Sequence, residues 1–124
     1  MANILAVDDQ KSMREMVRIV LESSGHQVTL AEDGVEAMSA ARTGAFDMVI
    51  TDINMPNMNG ISFVSKLKLL EEYKFTPVLM LTTETSSYKK DKAKAFGASG
   101  WLTKPFDPDR LNKAVEKLLG RIKP

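Results

Sequence analysis

Residues 47–60 read DMVITDINMPNMNG, and that order decides the fold. The opening DMVIT is an apolar run rich in strand-forming side chains, with the length of one buried strand rather than a helix. It stops at Asp52, and Asn59-Gly60 then turns the chain. Runs of the same kind recur outward on both sides: NILAV at 3–7 and QVTLA at 27–31 before it, PVLML at 77–81 and SGWLT at 99–103 after it. Five strands are expected. Between them the period becomes helical, through Met13, Met16, Val17, Val20 and Leu21, then Val64 and Leu67, then Leu111, Ala114, Val115, Leu118 and Ile122. The Ala-rich stretch 34–43 and the stretch 86–96, where four lysines surround Ala93 and Phe96, complete the helices.

Strand and helix alternating five times predict a parallel sheet covered on both faces, because each parallel crossover needs a helix and is right-handed. The fold class is therefore doubly wound α/β. Asp33-Gly34, Asn59-Gly60 and the stretches 75–77 and 105–108 read as turns, with no Pro/Ser-rich hinge or repeat between them. A single domain over 1–124 is expected, with no room for an output domain after the last helix.

Composition narrows the function classes. Seventeen Lys and Arg against sixteen Asp and Glu leave +1, which offers no electrostatic footprint for nucleic acid. The absence of cysteine excludes disulfides, thiolate catalysis and zinc sites built on sulfur. Asp8 and Asp9 interrupt the apolar start MANILAV before it reaches the length of a secretion signal, and no run approaches the roughly 18 apolar residues of a membrane span. A soluble, cytoplasmic chain without membrane insertion is expected.

The chemistry lies in placement. Asp8 and Asp9 follow the first strand, Asp52 the third, Thr82 closes the fourth and Lys104 follows the fifth. All fall at carboxyl ends, outside which open α/β sheets form their ligand crevice. Taken singly, Asp8-Asp9 reads as a helix start, Asp52 as a turn residue, Lys104 as a solvated cation and Thr82 as one more β-branched strand residue. Their shared edge favours one site. Three carboxylates there repel each other unless a cation offsets them, and without cysteine and with a single histidine the ligands are oxygens, which suits Mg²⁺. Mg²⁺ shares phosphate oxygens, Lys104 supplies a point charge and the Thr82 hydroxyl a donor, so a phosphate-handling site is expected.

The motifs VDD at 7–9, EDGVEAM at 32–38, TDINMPNMNG at 51–60, LTTE at 81–84, GASGW at 97–101 and KPF at 104–106 span the chain in order. Together they resemble the response-regulator receiver family, and most of all its stand-alone chemotaxis members. The resemblance implies a flavodoxin-like sheet of order 2-1-3-4-5. It implies that Asp52 accepts a phosphoryl group from a sensor histidine kinase of the chemotaxis kind. Asp9, Asp52 and the Asn54 main-chain carbonyl would bind Mg²⁺, with Asp8 acting through water. Thr82 and Lys104 would contact the phosphoryl group, and Asn54 and Glu84 would tune its hydrolysis. Such a protein is a monomeric binding module, not an enzyme beyond its own phosphorylation and dephosphorylation. Its target, a motor or kinase component with the flagellar motor switch as one candidate, would dock on the face of helix 4, strand 5 and helix 5. A phosphorelay carrier that passes the group to a histidine phosphotransfer domain would use the same site.

Trp101 occupies the family's switch position, where Tyr, Phe or His is usual. Its larger ring, whose N–H only donates, leaves an inward swing and a fixed surface anchor equally open. An Asp-nucleophile phosphatase would want its nucleophile and acid/base together after the first strand. A flavin carrier would want a hydroxyl- and glycine-rich loop there, and that loop is acidic. His26 reads as a solvated connector without a role, Met55 and Met58 as loop packing beside Asp52, and Lys89, Lys90, Lys92 and Lys94 as a solvated face whose partner, if any, is acidic.

Overall fold

The computed structural model describes residues 1–120. Five strands, β1 (Asn3–Val7), β2 (Gln27–Ala31), β3 (Met48–Thr51), β4 (Val78–Thr82) and β5 (Gly100–Thr103), alternate with five helices. These are α1 (Lys11–Ser23), α2 (Gly34–Thr43), α3 (Gly60–Lys68), α4 (Ser87–Ala95) and α5 (Pro108–Gly120). The sheet is parallel throughout, in the order β2-β1-β3-β4-β5. Strand ends move by at most one residue from the expected runs; Ile122 lies outside the described residues. A 3₁₀ turn at Glu71–Tyr73 was not expected.

Alternation along the inner strands divides the core. Ile4 and Ala6 of β1 pack with Val17 and Leu21 of α1 and with Leu111, Val115 and Leu118 of α5. Leu5 and Val7 face the other way, onto Ala37 and Ala41 of α2, Phe63, Val64 and Leu67 of α3, and Ala93 of α4. β3 and β4 are buried at every position, as a parallel sheet with two covered faces requires.

Asp33 and Asn59, expected as turn residues, are helix caps. Their side chains accept the N–H groups of Glu36 at 2.8 Å and Ser62 at 2.9 Å, which satisfies donors left free at the starts of α2 and α3. His26 corrects its expectation too. It is buried, its Nδ1 accepts the Ala2 N–H at 3.1 Å, and its Nε2 lies 3.6 Å from the Glu116 carboxylate. The connector is solvated but this side chain turns inward, because it holds the start of β1 where no strand partner reaches.

Tyr73 is fully buried, and its hydroxyl lies 2.6 Å from the Ala41 carbonyl and 3.0 Å from that of Gly44. It ties the 3₁₀ turn to the end of α2. Tyr73→Phe leaves those carbonyls without their donor and is expected to cost about 1–2 kcal/mol in urea denaturation.

Candidate functional site at the carboxyl edge of the sheet

The parallel ladder runs past the strand ends and holds the backbone of the site. Asp8 N–H donates to the Ala31 carbonyl at 3.1 Å, Asp52 N–H to that of Val7 at 3.0 Å, and Lys104 N–H to that of Thr82 at 2.8 Å. Each residue is thus tied to the neighbouring strand one step beyond its own. Arg14 reaches back from α1 to the Asp8 carbonyl at 2.8 Å, and Asp8 Oδ1 accepts the Gln10 N–H at 2.9 Å. Asp8 therefore also shapes the entry to α1, in part the plain role a helix-start aspartate would have.

The side chains converge on one point. Carboxylate oxygens of Asp8, Asp9 and Asp52 lie within 4.8 Å of one another. Lys104 Nζ donates to Asp8 Oδ2 at 2.6 Å and to Asp52 Oδ2 at 3.0 Å, while the Ile53 N–H donates to Asp52 Oδ1 at 2.6 Å. Asp8 and Asp52 are buried and Asp9 is exposed, so the cluster opens to solvent on the Asp9 side.

Burial pushes the Asp8 carboxyl above its ordinary range, against hydrogen bonds from Lys104 and Gln10 that pull it down; the neighbouring Asp52 charge adds to the rise. For Lys104, burial works to lower the pKa, but hydrogen bonds to Asp8 and Asp52 prevail and hold it above the ordinary value. Among the described residues, the ammonium is the only side-chain cation paired with the two buried carboxylates, and a third carboxylate stands beside them. An all-oxygen donor set with surplus negative charge and an open side fits a hard divalent cation.

Around this centre, the buried Thr82 hydroxyl accepts the Glu84 N–H at 3.1 Å. The Glu84 carboxylate accepts the Ser86 N–H at 3.1 Å and pairs with Lys89 at 3.2 Å, contacts that hold its pKa below the usual range, the Ser86 bond most strongly. Asn54 is exposed beside Asp52. Trp101 lies a strand further out, half-buried against the core shared by α2, α3 and α4. It shares that face of the sheet with Thr82, because Thr103, two residues on, pairs with Thr82. Three contributors were not foreseen. The Ile53 N–H and the Arg14 guanidinium leave no mark in residue type, whereas Lys89, five residues after Glu84, carried a signal in its charge.

A sequence profile described as the response regulator receiver domain matches residues 4–116. The chain belongs to this family. Chemotaxis protein CheY-3 of Vibrio cholerae is 38% identical over 120 residues, covering 96% of this chain and 92% of that protein. The structure of the chemotaxis response regulator CheY4 of Vibrio cholerae matches this receiver domain with a TM-score of 0.91 and 50% identity, over 95% of this chain and 98% of that one. The receiver domain of a Pseudomonas aeruginosa sensor histidine kinase, 25% identical with a TM-score of 0.89 over 96% and 98% of the two chains, carries a magnesium ion coordinated in its active-site cleft. The two Vibrio cholerae relatives are chemotaxis proteins of the response-regulator kind rather than enzymes of the ordinary kind. Among the described residues, no helix is long and apolar enough to cross a membrane.

The charge balance of this receiver domain gives a testable sign. Because the folded-state pKa of Asp8 is raised, its contribution favours folding below the unfolded value and is lost as pH rises through the folded one. At about pH 7 an ionised Asp8 is therefore a net cost. Asp8→Asn is expected to raise the thermal midpoint in EDTA at that pH, with the gain shrinking toward about pH 4 as the wild-type carboxyl protonates. Thermal scans across that range read it directly.

Proposed function

We propose that this receiver domain is a phosphorylation-controlled binding module of the chemotaxis kind, with Asp52 as the phosphoryl acceptor. The observation that carries the reading is the Asp52 carboxylate itself, held between the Ile53 N–H and the Lys104 ammonium at the mouth of the crevice, with Asp8 and Asp9 beside it. Asp9, Asp52 and the Asn54 main-chain carbonyl would hold Mg²⁺, with Asp8 contributing through water. When bound there, the ion offsets the charge of the carboxylates and of the transferred oxygens.

The Asp52 carboxylate attacks the phosphorus of a phosphohistidine on a sensor kinase. A P–O bond forms as the P–N bond breaks, and the departing imidazole keeps the electron pair and takes up a proton. Lys104 exchanges one carboxylate contact for a phosphoryl oxygen. The Thr82 hydroxyl turns to donate to another, which frees the Glu84 N–H. Asn54 and Glu84 flank the approach of the water that later hydrolyses the acyl phosphate.

A new charge of about −1.5 to −2 on Asp52 then biases a two-state equilibrium, and moving it from about 1:99 to 99:1 needs about 5.5 kcal/mol of differential stabilisation. The readout face is α4, β5 and α5. Its centre is Trp101, beside a 200 Å³ cavity lined by Lys90, Lys94 and Ser99. A cytoplasmic motor-switch component is the proposed target.

The test is exposure to a small phosphodonor with Mg²⁺. The protein should gain one hydroxylamine-labile phosphoryl group that maps to Asp52, with a change in the emission of Trp101, the single tryptophan. Labelling at any other residue would sink the assignment. Proven Asp52 labelling with unchanged emission would instead make Trp101 a fixed anchor.

A further inference from the structure

The face of α4 that looks toward α3, opposite the β5 side, carries a second surface. A groove of 490 Å³ runs between the two helices, floored by Ile53 and Ile61 and walled by Leu69, Tyr88 and Phe96. These three wall residues are 83%, 72% and 43% exposed, a concentration of apolar surface that solvent alone does not favour. α4 buries only Ala93, so it is pinned at one point and leaves the groove open along its length.

Charge surrounds the groove. Lys66 and Lys92 line it with exposed side chains, and among the described residues neither is in an ion pair; Lys89 at its mouth is paired with Glu84. Among the described residues, no carboxylate lines it. Across α3 and α4 there are six lysines and one aspartate, whereas the whole chain carries only +1. Three of those lysines, Lys66, Lys89 and Lys92, line the groove, and with Lys89 paired to Glu84 it is Lys66 and Lys92 that give it a cationic rim the near-neutral chain as a whole does not share.

We propose that the α3–α4 groove binds an acidic segment of a partner protein, whose apolar side chains fill the space between Leu69, Tyr88 and Phe96 while its carboxylates meet Lys66 and Lys92. The apolar anchors supply the buried contact and the rim charges supply approach and register. Tyr88 and Phe96 are rings, but the floor and the third wall residue, Ile53, Ile61 and Leu69, are aliphatic, and the net charge of +1 gives the chain no electrostatic footprint for nucleic acid, which favours a peptide. This surface is distinct from the α4–β5–α5 face, and it requires no phosphorylation of Asp52.

The test uses the full chain without phosphodonor. A displayed peptide library is panned against it, and the enriched peptide is synthesised with a fluorescent label for anisotropy titration. Enrichment of Asp and Glu interleaved with Leu or Phe is expected, with affinity that falls as salt rises. Lys66→Glu combined with Lys92→Glu, and separately Leu69→Ser, should each weaken binding by about tenfold or more, or about 1.4 kcal/mol. Lys117→Glu on α5 should leave it unchanged. All these positions are exposed, and circular dichroism melts confirm that each variant is folded. Enrichment of basic peptides or of none, binding unaffected by the groove variants, or equal binding of a labelled oligothymidine would each overturn the proposal.

Discussion

Lys104→Met is expected to lose about 3 kcal/mol of stability in EDTA and to recover most of it in Mg²⁺. The side chains of Lys104, Asp8 and Asp52 are only 7%, 6% and 10% exposed, so their charges are poorly served by water. Removing the ammonium leaves two buried carboxylates facing each other with Asp9 close by and, among the described residues, no side-chain cation paired with either carboxylate. That is the situation in which breaking a buried pair is far more costly than the net worth of the pair. A bound divalent ion at about 100 times its Kd adds about 2.7 kcal/mol to any site of this kind. The variant should gain more than the wild type, because its carboxylates no longer share their charge with Lys104. The folded pKa of Lys104 lies above its ordinary value, so its contribution is intact through neutrality and lost only as pH rises through that value. Urea denaturation at about pH 7, with and without Mg²⁺, therefore reads the effect in full. Equal stability of variant and wild type in EDTA would mean that the carboxylates do not depend on a cation.

The charges of this site were legible in the sequence because strand ends are legible. Short apolar runs mark where each strand stops, and in a parallel sheet every stop lies on the same side, so Asp8, Asp9, Asp52 and Lys104 could be assigned to one edge without knowing any distance. The strand order rested on family resemblance, since periodicity does not say which strand lies beside which. What escaped was anything decided by a backbone atom or a side-chain direction. The Ile53 N–H that holds Asp52 is invisible in residue type. His26 sits in a polar turn, yet it turns inward because the Ala2 N–H needs an acceptor there. Tyr73 is one aromatic among polar neighbours, and its hydroxyl finds the end of α2 only through the tertiary fold. The lysines of α4 read as one solvated face, but the helix splits them: Lys89 and Lys92 line the α3 groove, while Lys90 and Lys94 line the Trp101 side.

Gly60→Ala is expected to destabilise the protein by about 3 kcal/mol or more, at the upper end for an added methyl group. A Cβ at Gly60 would lie 1.9 Å from the Asp52 carbonyl oxygen and 3.0 Å from Ile53 Cα, both backbone atoms that no rotamer change can move aside. Nor can the backbone retreat. Asp52 is held by its N–H on the Val7 carbonyl, and Gly60 N–H donates to Ile53 at 2.8 Å from the other side. The loop between them is clamped again at α2, where Gly34 N–H donates to the Met58 carbonyl at 3.2 Å and a Cβ would meet Met58 at 2.7 Å. Asn57, at a φ of 67°, donates to Asp33 at 2.6 Å in the same clamp. Two glycines thus let two helix starts close on the segment that carries Asp52 and Asn54, and this closeness fixes Asp52 at the crevice mouth. If the variant folds at all, the displaced Asp52 peptide should weaken Mg²⁺ binding as well as stability. Urea denaturation and a Mg²⁺ titration of the same sample separate the two effects. A variant within about 0.5 kcal/mol of wild type would show that the loop yields freely, and the clamp would then not be what positions Asp52.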